Sequence, residues 1–369
     1  MAKVILVGCD LHEASLVLQI AVGRDEPVCK RWRNNREGRR KMIEDLHRRA
    51  HRVGARRIVF AYEACGFGFV LHDELAAAGI ECHVLAPTRI PRSTKHRHGK
   101  NDKRDALGIL ALVRAYALAG ADLPSIWIPD LPTRDDRELV RQRVDATDRL
   151  ATVKTQIRWL TYRNGLEKPA GVGPGWSASY LHWLCDLADR QLSPGTAAAL
   201  GSLLRRHDFH VQEKARLQQQ VEALAETDRF RLSVAALCRH KGVGLLTAMA
   251  FLTELGSPER FANRREVGAF FGMVPKSSES GEDDDHKGHI THEGSGDVRK
   301  LLCQATWSRI ASDPQEAAVY QRLVARNPKH KKIALVARMR QLAIRLWHDA
   351  LDVHCGRPLP PVPSFQRVR

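Results

Sequence analysis

The chain has 369 residues, 43% of them hydrophobic, which suits two or three domains with apolar cores and excludes a disordered protein. Lys and Arg number 59 against 42 Asp and Glu, a formal net charge of +17, which points to a polyanionic partner, nucleic acid first. No apolar run approaches the roughly 20 residues of a spanning helix, and Met1-Ala2-Lys3-Val4-Ile5 runs straight into strand-like sequence without a signal-peptide pattern, so no membrane partner and a cytoplasmic location are expected.

In chain order, β-rich runs at 4–9, 14–22 and 27–32, separated by short polar turns, predict an antiparallel meander. A helix follows over about 35–52, with Met42, Ile43, Leu46 and Ala50 on one apolar face. Then come a strand at 57–62, a helix over about 67–79 ended by Gly79, a strand at 81–86 and a helix over 103–118. The order βββ-α-β-α-β-α fits a mixed α/β sheet with helices on its faces, as in ribonuclease-H-like nucleases. From Thr133 the composition shifts to long polar helices. Leu139, Ala146, Leu150, Val153, Ile157 and Leu160 recur at heptad-like spacing, which predicts an α-helical coiled-coil arm or an ordinary helical hairpin. Gly171-Val172-Gly173-Pro174-Gly175 breaks this helix, and a second with Leu217, Val221 and Leu224 on one stripe returns beside it.

A third, mainly α-helical region begins near Val234. Its Lys241-Gly242-Val243-Gly244 resembles a helix-hairpin-helix turn whose glycines let backbone amides approach a phosphate. A basic helix over 328–349 carries Lys329, Lys331, Lys332, Arg338 and Arg340, and the Pro-rich end from 358 reads as a loose tail. The expected domains are therefore 1–125, 126–233, 234–349 and a tail at 350–369. The eight cysteines contain no Cys-x-x-Cys pair and no zinc-like Cys/His set, and read as buried reduced thiols.

Four carboxylates carry the chemistry. Asp10 ends the apolar run Val4-Ile5-Leu6-Val7, Glu63 ends Arg57-Ile58-Val59-Phe60-Ala61-Tyr62, and Asp102 and Asp105 stand three apart in Asn101-Asp102-Lys103-Arg104-Asp105-Ala106. At a helix start the last two project to one side, where the positive end of the helix favours negative charge. Alone, Asp102 and Asp105 would read as helix caps. With Asp10 and Glu63 approaching from neighbouring strand ends they make a hard oxygen site for Mg²⁺ or Mn²⁺, of the kind that stabilises attacking and leaving oxygens in phosphoryl transfer. Lys95, Arg97, Lys100, Lys103 and Arg104 surround the pair, either as a solvated loop or as contacts to nucleic-acid phosphates, and Lys241, Lys331 and Lys332 are further basic candidates.

These residues resemble those of the DEDD insertion-sequence transposases, which include the Piv-like DNA invertases and the bridge-RNA-guided recombinases. The segments carrying the resemblance are Gly8-Cys9-Asp10, Tyr62-Glu63-Ala64-Cys65-Gly66, Asn101-Asp102-Lys103-Arg104-Asp105-Ala106, Phe271-Gly272-Met273-Val274-Pro275 leading to Glu279-Ser280-Gly281, and Gly288-His289-Ile290-Thr291-His292-Glu293-Gly294. It covers roughly residues 4–120 as a RuvC-like catalytic domain and 234–345 as a transposase domain. The sequence departs from the family pattern at the acidic run Glu282-Asp283-Asp284-Asp285 and at His292, where a Lys is usual.

The resemblance implies a transposase or site-specific recombinase acting on double-stranded DNA at the bacterial nucleoid, with Asp10, Glu63, Asp102 and Asp105 holding metal and Ser280 as covalent nucleophile. It further implies a structured guide RNA and a dimer or tetramer in which one subunit's serine meets another's acids. The residues themselves leave two rivals open: a RuvC-like junction nuclease using metal-activated water, and a non-catalytic nucleic-acid-binding protein whose acids are structural.

Overall fold

Strand β1 (Val4–Leu11) is apolar on both sides and so takes the centre of a five-stranded sheet, with Ile5, Val7 and Cys9 buried in one core layer and Leu6 in the other. The structure, a computed structural model, describes residues 3–90, 102–190, 192–277 and 287–360 and divides into two units, Met1–Ile128 and Pro129–Arg369. In the first unit, antiparallel pairing links β1 to β2 (Ser15–Val22) and β2 to β3 (Val28–Arg33). Strands β4 (Arg57–Glu63) and β5 (Glu81–Leu85) add in parallel on the other side, giving the order β3-β2-β1-β4-β5. Parallel strands need crossovers, and helices α1 (Arg36–Val53) and α2 (Val70–Ala77) supply them. The Asn35 side chain caps α1 by accepting the Gly38 N–H.

Helices α1 and α2 cover the Ile5/Val7 face through Met42, Leu46, Leu71 and Leu75. Helix α3 (Asp102–Ala119) covers the opposite face through Ile109, Leu110 and Val113. This is the mixed α/β arrangement that the order of apolar runs predicts, with every strand limit within two residues. The cysteines are free, as expected, but only Cys9 is buried; Cys29, Cys65, Cys185, Cys238 and Cys355 are exposed. Most lie at strand edges or on outward helix faces, which spacing along the chain does not reveal.

The second unit is mostly helical. Helix α4 (Leu131–Arg163) starts at Asp130, whose carboxylate accepts the Thr133 N–H at 2.9 Å. It packs antiparallel to α6 (Pro194–Ala225), forming a helical hairpin. Ala146, Leu150, Val153, Ile157 and Leu160 are buried as the heptad pattern predicts, but towards the start of α4 the core positions are Val140 and Val144, with Leu139 only partly buried. A helix not foreseen from the sequence, α5 (Ala178–Arg190), closes the far end of the hairpin by setting Tyr180, Leu184 and Leu187 against Val153, Ile157, Leu160 and Leu200.

The near end of the hairpin joins the core formed by α7 (Arg231–Cys238), α8 (Leu245–Leu255), α9 (Arg264–Phe270), α10 (Gly296–Ser312), α11 (Pro314–Arg326) and α12 (Lys331–His354). Phe251 and Phe271 stack there at 5.0 Å, and the Trp347 indole N–H donates to the Pro258 carbonyl at 2.8 Å. A short antiparallel pair, β6 (Pro275–Ser277) and β7 (Lys287–Ile290), precedes α10. Arg338, which the basic-helix pattern groups with surface cations, is instead buried against Glu316 of α11; that carboxylate also accepts from Arg309 at 2.6 Å. Among the described residues no helix is long and apolar enough to cross a membrane.

Candidate metal centre and the serine-bearing hairpin

Alternation along β1 turns Leu6, Gly8 and Asp10 towards α3, and alternation along β4 turns Val59, Ala61 and Glu63 the same way. The parallel register pairs Cys9 with Tyr62, so Asp10 and Glu63 stand one step further on, at the carboxyl ends of neighbouring strands. That edge is where α/β sheets commonly bind ligands. Helix α3 reaches it because position 8 has no side chain. A Cβ on Gly8 would lie 2.3 Å from the Ala106 carbonyl oxygen and 2.3 Å from the Leu110 nitrogen. The helix backbone therefore presses directly on the strand, and its first turn, with Asp102 and Asp105, arrives beside Asp10.

One ligand atom each from Asp10, His12 and Asp102 lie within 4.8 Å of one another. The His12 Nε2 is 2.9 Å from an Asp10 oxygen and 3.4 Å from an Asp102 oxygen, while Arg31 donates to the other Asp102 oxygen at 3.0 Å. Burial raises the Asp10 carboxyl above its ordinary value and His12 opposes that shift, while Asp102 and Asp105 add like-charge repulsion. A cation placed among them would relieve that repulsion. Hard carboxylate oxygens in this number suit Mg²⁺ or Mn²⁺, and His12 offers either a nitrogen ligand or a hydrogen bond that orients Asp10. Glu63 and Asp105 are not in the tight set, although Asp105 is near enough to act on Asp10. Sequence reasoning does not single out His12. The available signal is its place two residues after Asp10, just past the end of β1.

Of the basic candidates, Lys103 and Arg104 are exposed in the first turn of α3, Lys241 is exposed after α7, and Lys331 and Lys332 are exposed at the start of α12. Lys95, Arg97 and Lys100 lie outside the described residues. Gly242 has φ +82°, and a Cβ there would meet the Ala305 carbonyl oxygen of α10 at 2.4 Å. Its missing side chain thus serves helix packing, while a Cβ on Gly244 would meet nothing within 4 Å.

Ser280 also lies outside the described residues, but the segment that bears it leaves and re-enters a defined frame: Ser277 pairs with Lys287 and Pro275 with Ile290. Two glycines with positive φ close the base of this frame. A Cβ on Gly272 would meet the Glu293 carbonyl oxygen at 2.2 Å, and one on Gly294 would meet the Phe270 carbonyl oxygen at 2.0 Å. Arg299 donates to the carbonyls of Phe271, Glu293 and Gly294 at 3.2, 2.6 and 3.2 Å, tying both strands of the base to α10. His292 adopts φ +58°, so this position bends the chain back towards Gly272.

Two parts of the chain match models of known families. Residues 7–160 match a DEDD-type IS110 model described as a transposase, and residues 234–321 match the model of the transposase IS116/IS110/IS902 family. The chain is similar to a candidate transposase of Sinorhizobium fredii, at 31% identity over 255 residues that cover 68% of this chain and 58% of that protein. It is also similar to the transposase for insertion sequence element IS1533 of Leptospira borgpetersenii, at 26% identity over 73% of this chain and 75% of the other. A family 20 transposase candidate of Pseudomonas aeruginosa aligns over 95% of this chain and 98% of its own length, at 25% identity.

Proposed function

The chain belongs to the IS116/IS110/IS902 transposase family, and from that premise we propose that it cuts and rejoins the DNA of a mobile element by metal-assisted strand transfer through Ser280. The observation that carries this reading is the close approach of α3 to β1 at Gly8, which gathers Asp10, His12 and Asp102 within 4.8 Å. Asp10 and Asp102, with Glu63 and Asp105 near by, would hold Mg²⁺ or Mn²⁺, which would supply charge stabilisation at the scissile phosphate. The helix end at Asp102 keeps the carboxylates oriented, and Gly8 keeps the helix close.

The Ser280 hydroxyl attacks phosphorus, forming a serine–phosphate bond as the bond to the 3′ oxygen breaks, and that oxygen leaves as a 3′ hydroxyl once protonated. The serine's own proton passes to a base or water. Reverse attack by a 3′ hydroxyl rejoins DNA and restores the serine, so no external energy source is required. A dimer or tetramer would bring Ser280 of one copy to the four acids of another. The net charge of +17 and the exposed Lys103, Arg104, Lys331 and Lys332 support contacts to double-stranded DNA and to a structured guide RNA that selects the sites by pairing.

A Ser280→Ala variant tests the chemistry. Loss of recombination together with loss of a detergent-stable protein–DNA adduct supports the covalent route. Unimpaired strand exchange refutes it, and metal-dependent cutting without any adduct would point to a RuvC-like nuclease. Sequencing RNA that co-purifies with the protein tests the guide, and a preparation active without RNA would remove that part of the proposal.

A further inference from the structure

The two ends of the α4–α6 hairpin differ in charge. The first half of α4 mixes Asp135, Asp136, Glu138, Asp145 and Asp148 among its arginines, whereas residues 149–163 hold Arg149, Lys154, Arg158 and Arg163 and no acid. The start of α6, residues 194–207, adds Arg205 and Arg206, again with no acid. Arg149 is engaged by Asp145, and Lys154 sits 4.9 Å from the Trp176 ring. Among the described residues no carboxylate pairs with Arg163, Arg205 or Arg206.

Between these acid-free stretches lies an open groove of about 770 Å³. Small Ala199 and Ser202 line its α6 side, and Arg163 and Arg206 contribute from the two helices. Trp159 lines it from α4 and is 56% exposed, with Tyr162, 77% exposed, edge-on to it at 5.8 Å and 89°. Burying an indole this exposed would be favourable, and the uncompensated arginines restrict what can bury it. A second copy of the same face would bring like charges together, which is costly. A polyanion with flat apolar rings satisfies both the charge and the aromatic surface. Duplex hides its base faces, whereas an unpaired strand presents them for stacking.

We propose that this groove binds an unpaired stretch of nucleic acid, with Trp159 stacking on a base and Arg163 and Arg206 contacting flanking phosphates. The site uses none of the groups assigned to strand transfer, so it is measured by binding alone. The probe is a fluorescein-labelled pyrimidine oligonucleotide of about 12 nucleotides, made as RNA and as DNA, titrated with the full chain and read by anisotropy. Trp159→Ala should weaken binding by about 5- to 100-fold, and Trp159→Phe, which keeps a ring, should restore most of it. The Arg163→Ala/Arg206→Ala double variant should flatten the dependence of log affinity on log salt by about 1.4, or about 0.7 per lost phosphate contact. A larger Trp159→Ala loss with RNA than with DNA assigns the site to a ribose strand, and the reverse assigns it to displaced DNA.

Because Trp159 and Arg163 lie on an outward face, the melting temperatures should stay at the wild-type value, separating loss of the site from loss of the fold. Unchanged oligonucleotide affinity and salt slope in these variants overturn the proposal. So does a Trp159→Ala variant that dissociates into monomers with oligonucleotide affinity intact, which would assign the groove to a second copy of the chain. Equal losses for blunt duplex and single strand also overturn it, since they leave charge as the only contribution.

Discussion

Replacing Gly8 with alanine perturbs the contact on which the candidate centre rests. The new methyl carbon would lie 2.3 Å from the Ala106 oxygen, 2.3 Å from the Leu110 nitrogen and 2.8 Å from the Leu110 Cα. All three are helix backbone, so no side chain can swing aside, and α3 must retreat by roughly 1 Å to regain ordinary contact. Overpacking of this kind costs about 1–3 kcal/mol, felt through the layer of Ile109, Leu110 and Val113. Asp102 and Asp105 travel with the helix, so Mn²⁺ affinity should fall about 10- to 100-fold, as it does when support around a metal site is disturbed. Thermal melts and calorimetric Mn²⁺ titrations measure the two effects, with Gly108→Ala as the internal reference. Gly108 lies in the same helix, and a Cβ added there would meet nothing within 4 Å, so that variant should gain about 0.5–1 kcal/mol and keep its Mn²⁺ affinity. A Gly8→Ala protein with wild-type melting temperature and wild-type Mn²⁺ affinity would refute the claim that helix-to-strand contact builds the site.

Two further outcomes follow from ion pairs away from the centre. Burial alone would raise the Glu316 carboxyl, but hydrogen bonds from Arg309 and Arg338 hold it below its ordinary value. Glu316→Gln should therefore destabilise the second unit by about 3–5 kcal/mol, because it leaves two buried guanidinium groups without their counter-charge; a loss below about 1 kcal/mol in urea unfolding would contradict this. Glu81 is held at about 2, chiefly by the Arg57 guanidinium and also by His83 and Tyr116. Its folded value lies below the 4.5 of the free group, so its stabilisation is full above about pH 4.5 and fades as pH falls towards 2. Between those values the acid-induced drop in melting temperature should be smaller for Glu81→Gln than for the wild type, and identical slopes would contradict the assignment.

The first unit is legible in the sequence because its signals are local. Strand runs such as Val4-Ile5-Leu6-Val7 and Arg57-Ile58-Val59-Phe60 are bounded by polar turns, and the acids stand where those runs stop. The second unit is less legible because its elements answer to distant partners. Arg338 looks like a surface cation until α11 brings Glu316 to it, and Val140 and Val144 replace Leu139 in the core because the body of the second unit, not α6 alone, packs there. Helix α5 escapes sequence reasoning because Gly171 to Gly175 suggests a plain loop, whereas Tyr180, Leu184 and Leu187 show their helical stripe only against Ile157 and Leu200. Within the tight cluster, Asp10 and Asp102 are readable from position, while His12 and the role of Gly8 require the packed strand and helix.

The most direct test is Mn²⁺ binding to the wild type and to the Asp102→Asn/Asp105→Asn double variant, followed by the electron paramagnetic resonance of free and bound ion. If the acids at the start of α3 hold the metal with Asp10, the wild type binds saturably and the double variant loses that binding while keeping its melting temperature. Equal Mn²⁺ binding by the two proteins, or no saturable binding by the wild type, would contradict it.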